Sequence, residues 1–212
     1  MTTEITFAYK DLSPTAQRKA REDYTSGDYP EYDWWDNTFE DAITMGKKLG
    51  IEIGTKTHKN SRGKTYHEPM LYFSGFSSQG DGACFSGMYY YAPDAIKDIE
   101  KETNDEELLR IAQELTLANL TLRLQGMKLS RATITTRGNY SHSGTMEVET
   151  IIEECEDDTD QSALDDNITG LMRDFADWIY KQLSAENDYY WSDEYVEERL
   201  ADESFDGEGN VI

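Results

Sequence analysis

Met70-Leu71-Tyr72-Phe73-Ser74-Gly75-Phe76-Ser77-Ser78-Gln79-Gly80-Asp81-Gly82-Ala83-Cys84-Phe85-Ser86-Gly87-Met88-Tyr89-Tyr90-Tyr91 decides the fold. Met70 to Ser78 and Ala83 to Tyr91 are rich in Phe and Tyr and have strand composition. Gln79-Gly80-Asp81-Gly82 between them is dense turn chemistry, so the stretch predicts a β-hairpin. Upstream, Ile51 and Ile53 begin a strand that leads into a basic loop, Lys56 to Lys64, with no acid between Glu52 and Glu68. Downstream, Leu129 to Arg137 and Thr145 to Ile152 form a second hairpin across Gly138 to Gly144.

Helices flank these strands. Ser13 suits an N-cap and Pro14 a first helical position for a helix over Thr15 to Tyr24, and Ser26 to Pro30 reads as a turn. Trp35, Phe39, Ala42, Ile43, Gly46 and Leu49 recur at helical spacing within Tyr32 to Leu49. Asp94 to Lys101 forms a short helix, and Thr103-x-x-Glu106 is a capping-box signal for the next. Leu115 to Leu124 fits either period, and its continuity from Leu108 to Gly126 favours helix. The last long helix runs from Ser162 to Glu186 on a wide apolar stripe, and Ser192 caps a short one carrying Val196 and Leu200. The expected class is α+β: an antiparallel sheet of about five strands in two hairpins, helices on one face, and an acidic helical C-terminal third. Residues 1–152 are expected to form the body and 153–212 the acidic segment packed on it, one domain in total.

Charge is the outlier. Forty-three acids against 20 Lys and Arg give −23 over 212 residues. That sign excludes phosphate-contacting nucleic-acid binding as the main activity and disfavours anionic membranes. From Glu147 onward there are 22 acids and three bases, a net of −19, against −4 for the first 146 residues. The start has no signal-peptide pattern and no apolar run approaches a membrane span, so a cytoplasmic setting is expected. Cys84 and Cys155 lie 71 positions apart, without His spacing for zinc. No metal and no cofactor are expected.

Gly80-Asp81-Gly82-Ala83-Cys84-Phe85 resembles the nucleophile motif of ovarian-tumour-type deubiquitinating cysteine proteases. With His142, and Asn139 nearby, it implies an alternative reading as a cysteine hydrolase. That chemistry needs Cys84 at a helix N-terminus. The strand pattern of Phe85 to Tyr91 points instead to a buried hairpin cysteine. Trp34-Trp35 and Tyr189-Tyr190-Trp191 are weighed as interface anchors, one member of each run facing the core.

The acidic third carries the leading expectation. Spread over helix at ~1.5 Å per residue, 22 acids in 66 residues average one per roughly 4.5 Å, against about 3.4 Å per charge on a DNA strand and about 1.7 Å on a duplex. Carboxylates fixed at helical spacing repel one another, which costs stability. A solvated face is the plain alternative. A rigid acidic surface can instead occupy a protein's basic nucleic-acid-binding groove, and its sparseness leaves a homodimer open as the mimicking unit. The residues expected to bind such a partner are Glu153, Glu154, Glu156, Asp157, Asp158, Asp160, Asp165, Asp166, Asp193, Glu194, Glu197, Glu198, Asp202 and Glu203, with no direct nucleic-acid contact and no membrane.

Leu12-Ser13, Ala16 and Lys19-Ala20-Arg21 lead to Asp33-Trp34-Trp35, Phe39-Glu40-Asp41-Ala42 and Leu49-Gly50-Ile51. After them come Tyr72 to Phe85, His142-Ser143-Gly144 and Arg173-Asp174-Phe175-Ala176-Asp177-Trp178-Ile179-Tyr180. In this order they resemble a family of tailed-bacteriophage and prophage proteins sometimes labelled antitoxin-like. The likeness spans most of the chain, and Ser74-Gly75-Phe76-Ser77-Ser78-Gln79-Gly80-Asp81-Gly82 is its most specific block. It implies a phage setting and a protein that binds and blocks another protein. Together with the acidic third, this makes an anti-defence or antitoxin-like inhibitor of a host nucleic-acid-handling protein, acting in the host bacterial cytoplasm, the leading expectation. A phage structural or assembly module is the third reading.

Overall fold

The computed structural model describes residues 6–26, 34–60, 62–153 and 162–212. In chain order its elements are β1 (Phe7–Ala8), α1 (Pro14–Ser26), α2 (Asp36–Leu49), β2 (Ile51–Ile53), β3 (Thr55–Lys59), β4 (Thr65–Pro69), β5 (Leu71–Ser74), β6 (Gly82–Phe85) and β7 (Gly87–Tyr89). There follow α3 (Ala95–Glu102), α4 (Glu106–Leu124), β8 (Lys128–Thr136), β9 (Met146–Glu153), α5 (Ser162–Tyr190), α6 (Asp193–Ala201) and β10 (Ser204–Phe205). The class is α+β with antiparallel pairing. By packing, Asn37–Gln182 forms one compact unit, and Met1–Asp36 with Leu183–Ile212 forms another. Among the described residues no helix is long and apolar enough to cross a membrane.

The larger unit centres on a four-stranded sheet in the order β2-β7-β8-β9, with β3-β4 and β5-β6 as separate two-stranded ribbons. Ala132, Ile134 and Met146 are buried on one face of the sheet, while Thr135, Glu147 and Glu149 stand exposed on the other. That alternation is what a half-solvated antiparallel sheet requires. Phe175 of α5 is fully buried, packs edge-on to Phe85 of β6 and stacks on Trp178. Asn119 of α4 is buried and donates to the Tyr89 hydroxyl at 2.9 Å and to the Leu115 carbonyl at 2.8 Å, so a polar side chain inside the core is satisfied.

The expected single strand from Ala83 to Tyr91 is broken at Ser86. Gly54 N–H donates to the Ser86 carbonyl at 2.8 Å, Met70 N–H to the Gly54 carbonyl at 2.7 Å, and Ser86 N–H to the Met70 carbonyl at 2.9 Å. At this one junction β2 passes into β3, β4 into β5 and β6 into β7, each changing its partner strand. Of the strand expected over Met70 to Ser78, Met70 belongs to this junction and Leu71–Ser74 forms β5, which pairs with β6 from Leu71↔Phe85 to Ser74↔Gly82. The basic loop 56–64 is likewise a ribbon, β3 paired with β4 from Thr55↔Pro69 to Lys59↔Thr65. So the strands distribute into one sheet and several ribbons rather than one sheet of five.

The capping signal also moves. Thr103 is the residue that closes α3, and Asp105 caps α4, accepting from Glu107 N–H at 2.9 Å and Leu108 N–H at 3.0 Å. The same carboxylate accepts the Trp178 indole N–H at 2.8 Å, which ties α4 to α5. A carboxylate satisfies two orphan amides and an indole at once, which a threonine hydroxyl cannot do.

In the smaller unit Ser13 caps α1, accepting from Ala16 N–H, and Ser192 caps α6, accepting from Tyr195 N–H. Tyr9, Leu12, Ala16, Ala20, Val196, Leu200 and Phe205 form its core. β1 pairs with β10, from Phe7↔Phe205 to Ala8↔Ser204. Trp34 is buried, edge-on to both Trp35 and Tyr190, so one tryptophan of the pair faces the core. The turn expected at Ser26 to Pro30 and the helix start at Tyr32 lie largely outside the described residues.

Candidate functional site

The structure assigns the expected partner-binding acids to different jobs. Asp165, at the start of α5, accepts from the Thr150 backbone N–H at 3.0 Å and from the Thr150 hydroxyl, which ties the helix to β9. Glu153 accepts from Lys128 at 3.1 Å and from Ser130 at 2.9 Å, and the lysine holds its carboxyl below the usual range. Asp166 is exposed. Glu154, Glu156, Asp157, Asp158 and Asp160 lie outside the described residues. In the larger unit, then, two of the three described acids serve the fold.

The smaller unit holds 18 acids and five bases, a net of −13. Its α6 forms because Ser192 caps it and Val196 and Leu200 bury one stripe, which leaves the acids outside. Asp193 and Glu197 both pair with Arg21 of α1, the first at 2.7 Å. Arg21 also donates to the Tyr9 hydroxyl at 2.7 Å, and this bond raises its pKa. These two acids anchor α6 to α1. Asp193 and Glu194 sit in the first turn, where the helix dipole favours them.

Glu198, Asp202 and Glu203 have no such explanation. They are exposed at or beyond the C-terminal end of α6, where the dipole disfavours negative charge. Glu194, Glu198 and Asp202 follow one another at four-residue steps, a like-charge row along the helix. Asp202 and Glu203, with Asp23 of α1, edge a cavity of about 360 Å³ that Tyr24, Arg199 and Leu200 also line. The Tyr24 hydroxyl is buried and has no hydrogen-bond partner among the described residues. A buried phenol left unpaired costs about 1–3 kcal/mol. No sequence signal marks Tyr24; only the packing of α1 against α6 reveals it. Carboxylates around an unsatisfied phenol suit a cationic donor such as a Lys or Arg side chain.

The hydrolase alternative meets a different geometry. Cys84 lies in the middle of β6, 1% exposed and opposite Tyr72, rather than at a helix N-terminus. Burial pushes its thiol pKa up, against a smaller opposite effect of its hydrogen bond to Thr145. His142 packs its backbone beside Gly82, where a Cβ would come within 2.7 Å of the His142 Cβ. The thiol therefore pairs with Thr145, and the environment favours its neutral, poorly nucleophilic form. In a Cys155→Ser background, Cys84 is expected to react with a thiol reagent at pH 8 at least about 100-fold more slowly in the folded chain than in urea. Equal rates, read from absorbance, would contradict this burial. Among the described residues no group of three or more His, Cys, Asp or Glu side chains is placed to hold a metal ion.

Comparison with curated proteins and with solved structures finds no match. Residues 34–193, about three quarters of the chain, match the model of the family described as Domain of unknown function (DUF8835), and the chain belongs to that family.

Proposed function

We propose that the chain is an acidic, phage-encoded interaction protein that binds a host nucleic-acid-handling protein and blocks its basic groove. One observation carries this reading: Glu198, Asp202 and Glu203 stand exposed where helix electrostatics disfavour them, and Asp202 and Glu203 edge a cavity whose buried phenol has no partner among the described residues. Solubility alone does not require acids at the negative end of a helix. A partner's Lys or Arg would enter the cavity, donate to the carboxylates and the Tyr24 hydroxyl, and leave the surrounding acids to face its basic groove. Long-range attraction would speed the encounter and make it salt-sensitive.

The test is capture from infected bacterial cells with the wild-type chain and with a variant carrying Lys at 194, 198, 202 and 203. The wild type is expected to capture one nucleic-acid-binding host protein, at low salt more than at high, and the variant none. The variant should be about as stable as the wild type, because Lys at 198, 202 and 203 lies at or beyond the helix C-terminus, where cations gain about 0.3–1 kcal/mol each, while Lys at 194 in the first turn loses about as much as one of them gains. Capture of virion proteins instead would point to the assembly reading. Undiminished capture by the variant would end this one.

A further inference from the structure

We infer that the β3–β4 ribbon is a phosphate-binding arm for nucleic acid, separate from the acidic surface and independent of the partner that surface takes. Every residue of β3 and β4 is exposed except His58 and Pro69, which are half-buried. A two-stranded ribbon with no buried face is marginal by itself. This one is rooted instead at the Gly54–Met70–Ser86 junction, whose three backbone hydrogen bonds measure 2.7–2.9 Å. A Cβ on Gly54 would meet the Met70 sulfur at 3.1 Å and the Ser86 carbonyl at 3.2 Å, so the root is tightly built.

The far end is organised as well. The Asn60 side-chain oxygen accepts from the Arg62 N–H at 3.0 Å and the Lys64 N–H at 2.9 Å, and Gly63 takes φ +77°. Lys59, Arg62 and Lys64 thus cluster at the tip, and none has a carboxylate partner among the described residues. The ribbon's single acid, Glu68, lies near the root, 3.0 Å from the His58 ring nitrogen. Lys56 also sits near the root, 4.9 Å over the Tyr72 ring. In a chain of −23, three unpaired cations on a fixed arm are a segregated patch of opposite sign.

Two features favour nucleic acid over an acidic protein. Tyr66 is 50% exposed and stacks on His58 with ring centroids 5.2 Å apart, which offers a flat aromatic surface to a base. A two-stranded ribbon is also the size that a duplex major groove, about 12 Å wide, admits. The negative charge elsewhere confines contact to the arm, so affinity is low and few phosphates are neutralised.

Fluorescence anisotropy of the full chain with a labelled duplex and a labelled single strand of about 20 nucleotides tests this, from roughly 25 to 200 mM salt. Three neutralised phosphates give a log–log salt slope of about −3 on duplex or about −2 on single strand, which distinguishes the two forms. Lys59→Glu, Arg62→Glu and Lys64→Glu together are expected to weaken binding at least about tenfold with the circular dichroism unchanged. Three outcomes would overturn the assignment: no binding at the lowest salt, binding that survives the triple reversal, or displacement of the oligonucleotide by polyglutamate at equal charge concentration.

Discussion

Replacing Asp105 by Ala is expected to lower the stability of the chain by about 2–4 kcal/mol, one of the largest effects of any single side-chain truncation outside the apolar core. The carboxylate caps α4 through the Glu107 and Leu108 amides and also accepts the indole N–H of Trp178, which is 6% exposed. Loss of a cap costs about 1 kcal/mol. The buried indole donor left without an acceptor adds about 1–3 kcal/mol. Asp105→Asn separates the two, because the amide oxygen still caps while the amide nitrogen faces another donor. It should lose the second contribution and keep the first. Urea denaturation reads both variants, and a loss below about 1 kcal/mol for Asp105→Ala would show that α4 and α5 are not tied this way.

Gly87→Ala should cost at least about 3 kcal/mol, through the backbone rather than through a lost side chain. A Cβ at Gly87 would lie 2.1 Å from the Glu52 carbonyl oxygen and 3.0 Å from the Gly54 nitrogen. Both are backbone atoms of the neighbouring strand, so neither can rotate away. Gly87 pairs with Ile53 on one side and Ile134 on the other, so the clash forces β2 off β7 or β7 off β8. Hydrogen exchange should locate the damage in β2 and leave the β8–β9 amides protected. Stability within about 1 kcal/mol of wild type would mean that the close strand approach is not needed.

These two positions also show what the sequence discloses. The helices were legible where a polar cap and an apolar stripe coincide: Ser13 and Ser192 cap as expected, and α5 follows its stripe, extending beyond Glu186 to Tyr190. Leu115 to Leu124 read ambiguously because leucines lie all around the helix. Leu115 and Leu122 are buried, while Leu117, Leu120 and Leu124 are 64%, 46% and 89% exposed, which blurs the helical period. The strand switch was not legible, because Gly54, Met70 and Ser86 meet only in space. Asp105 was masked by the stronger capping pattern at Thr103. As for the site, composition located the acids but not their duties. Asp165 and the Asp193–Glu197 pair are indistinguishable in sequence from Glu198 and Asp202, and only their partners, Thr150 and Arg21, separate them.

The central claim is that the acids at the end of α6 displace nucleic acid from a partner. With the host protein captured by the wild-type chain, a labelled oligonucleotide should be released as the chain is added, with release complete near one equivalent. The variant with Lys at 194, 198, 202 and 203 should release none at the same concentration, and added salt should weaken the wild type toward it. Full release by that variant, or a ternary complex in which the oligonucleotide stays bound in the partner's groove, would contradict the account.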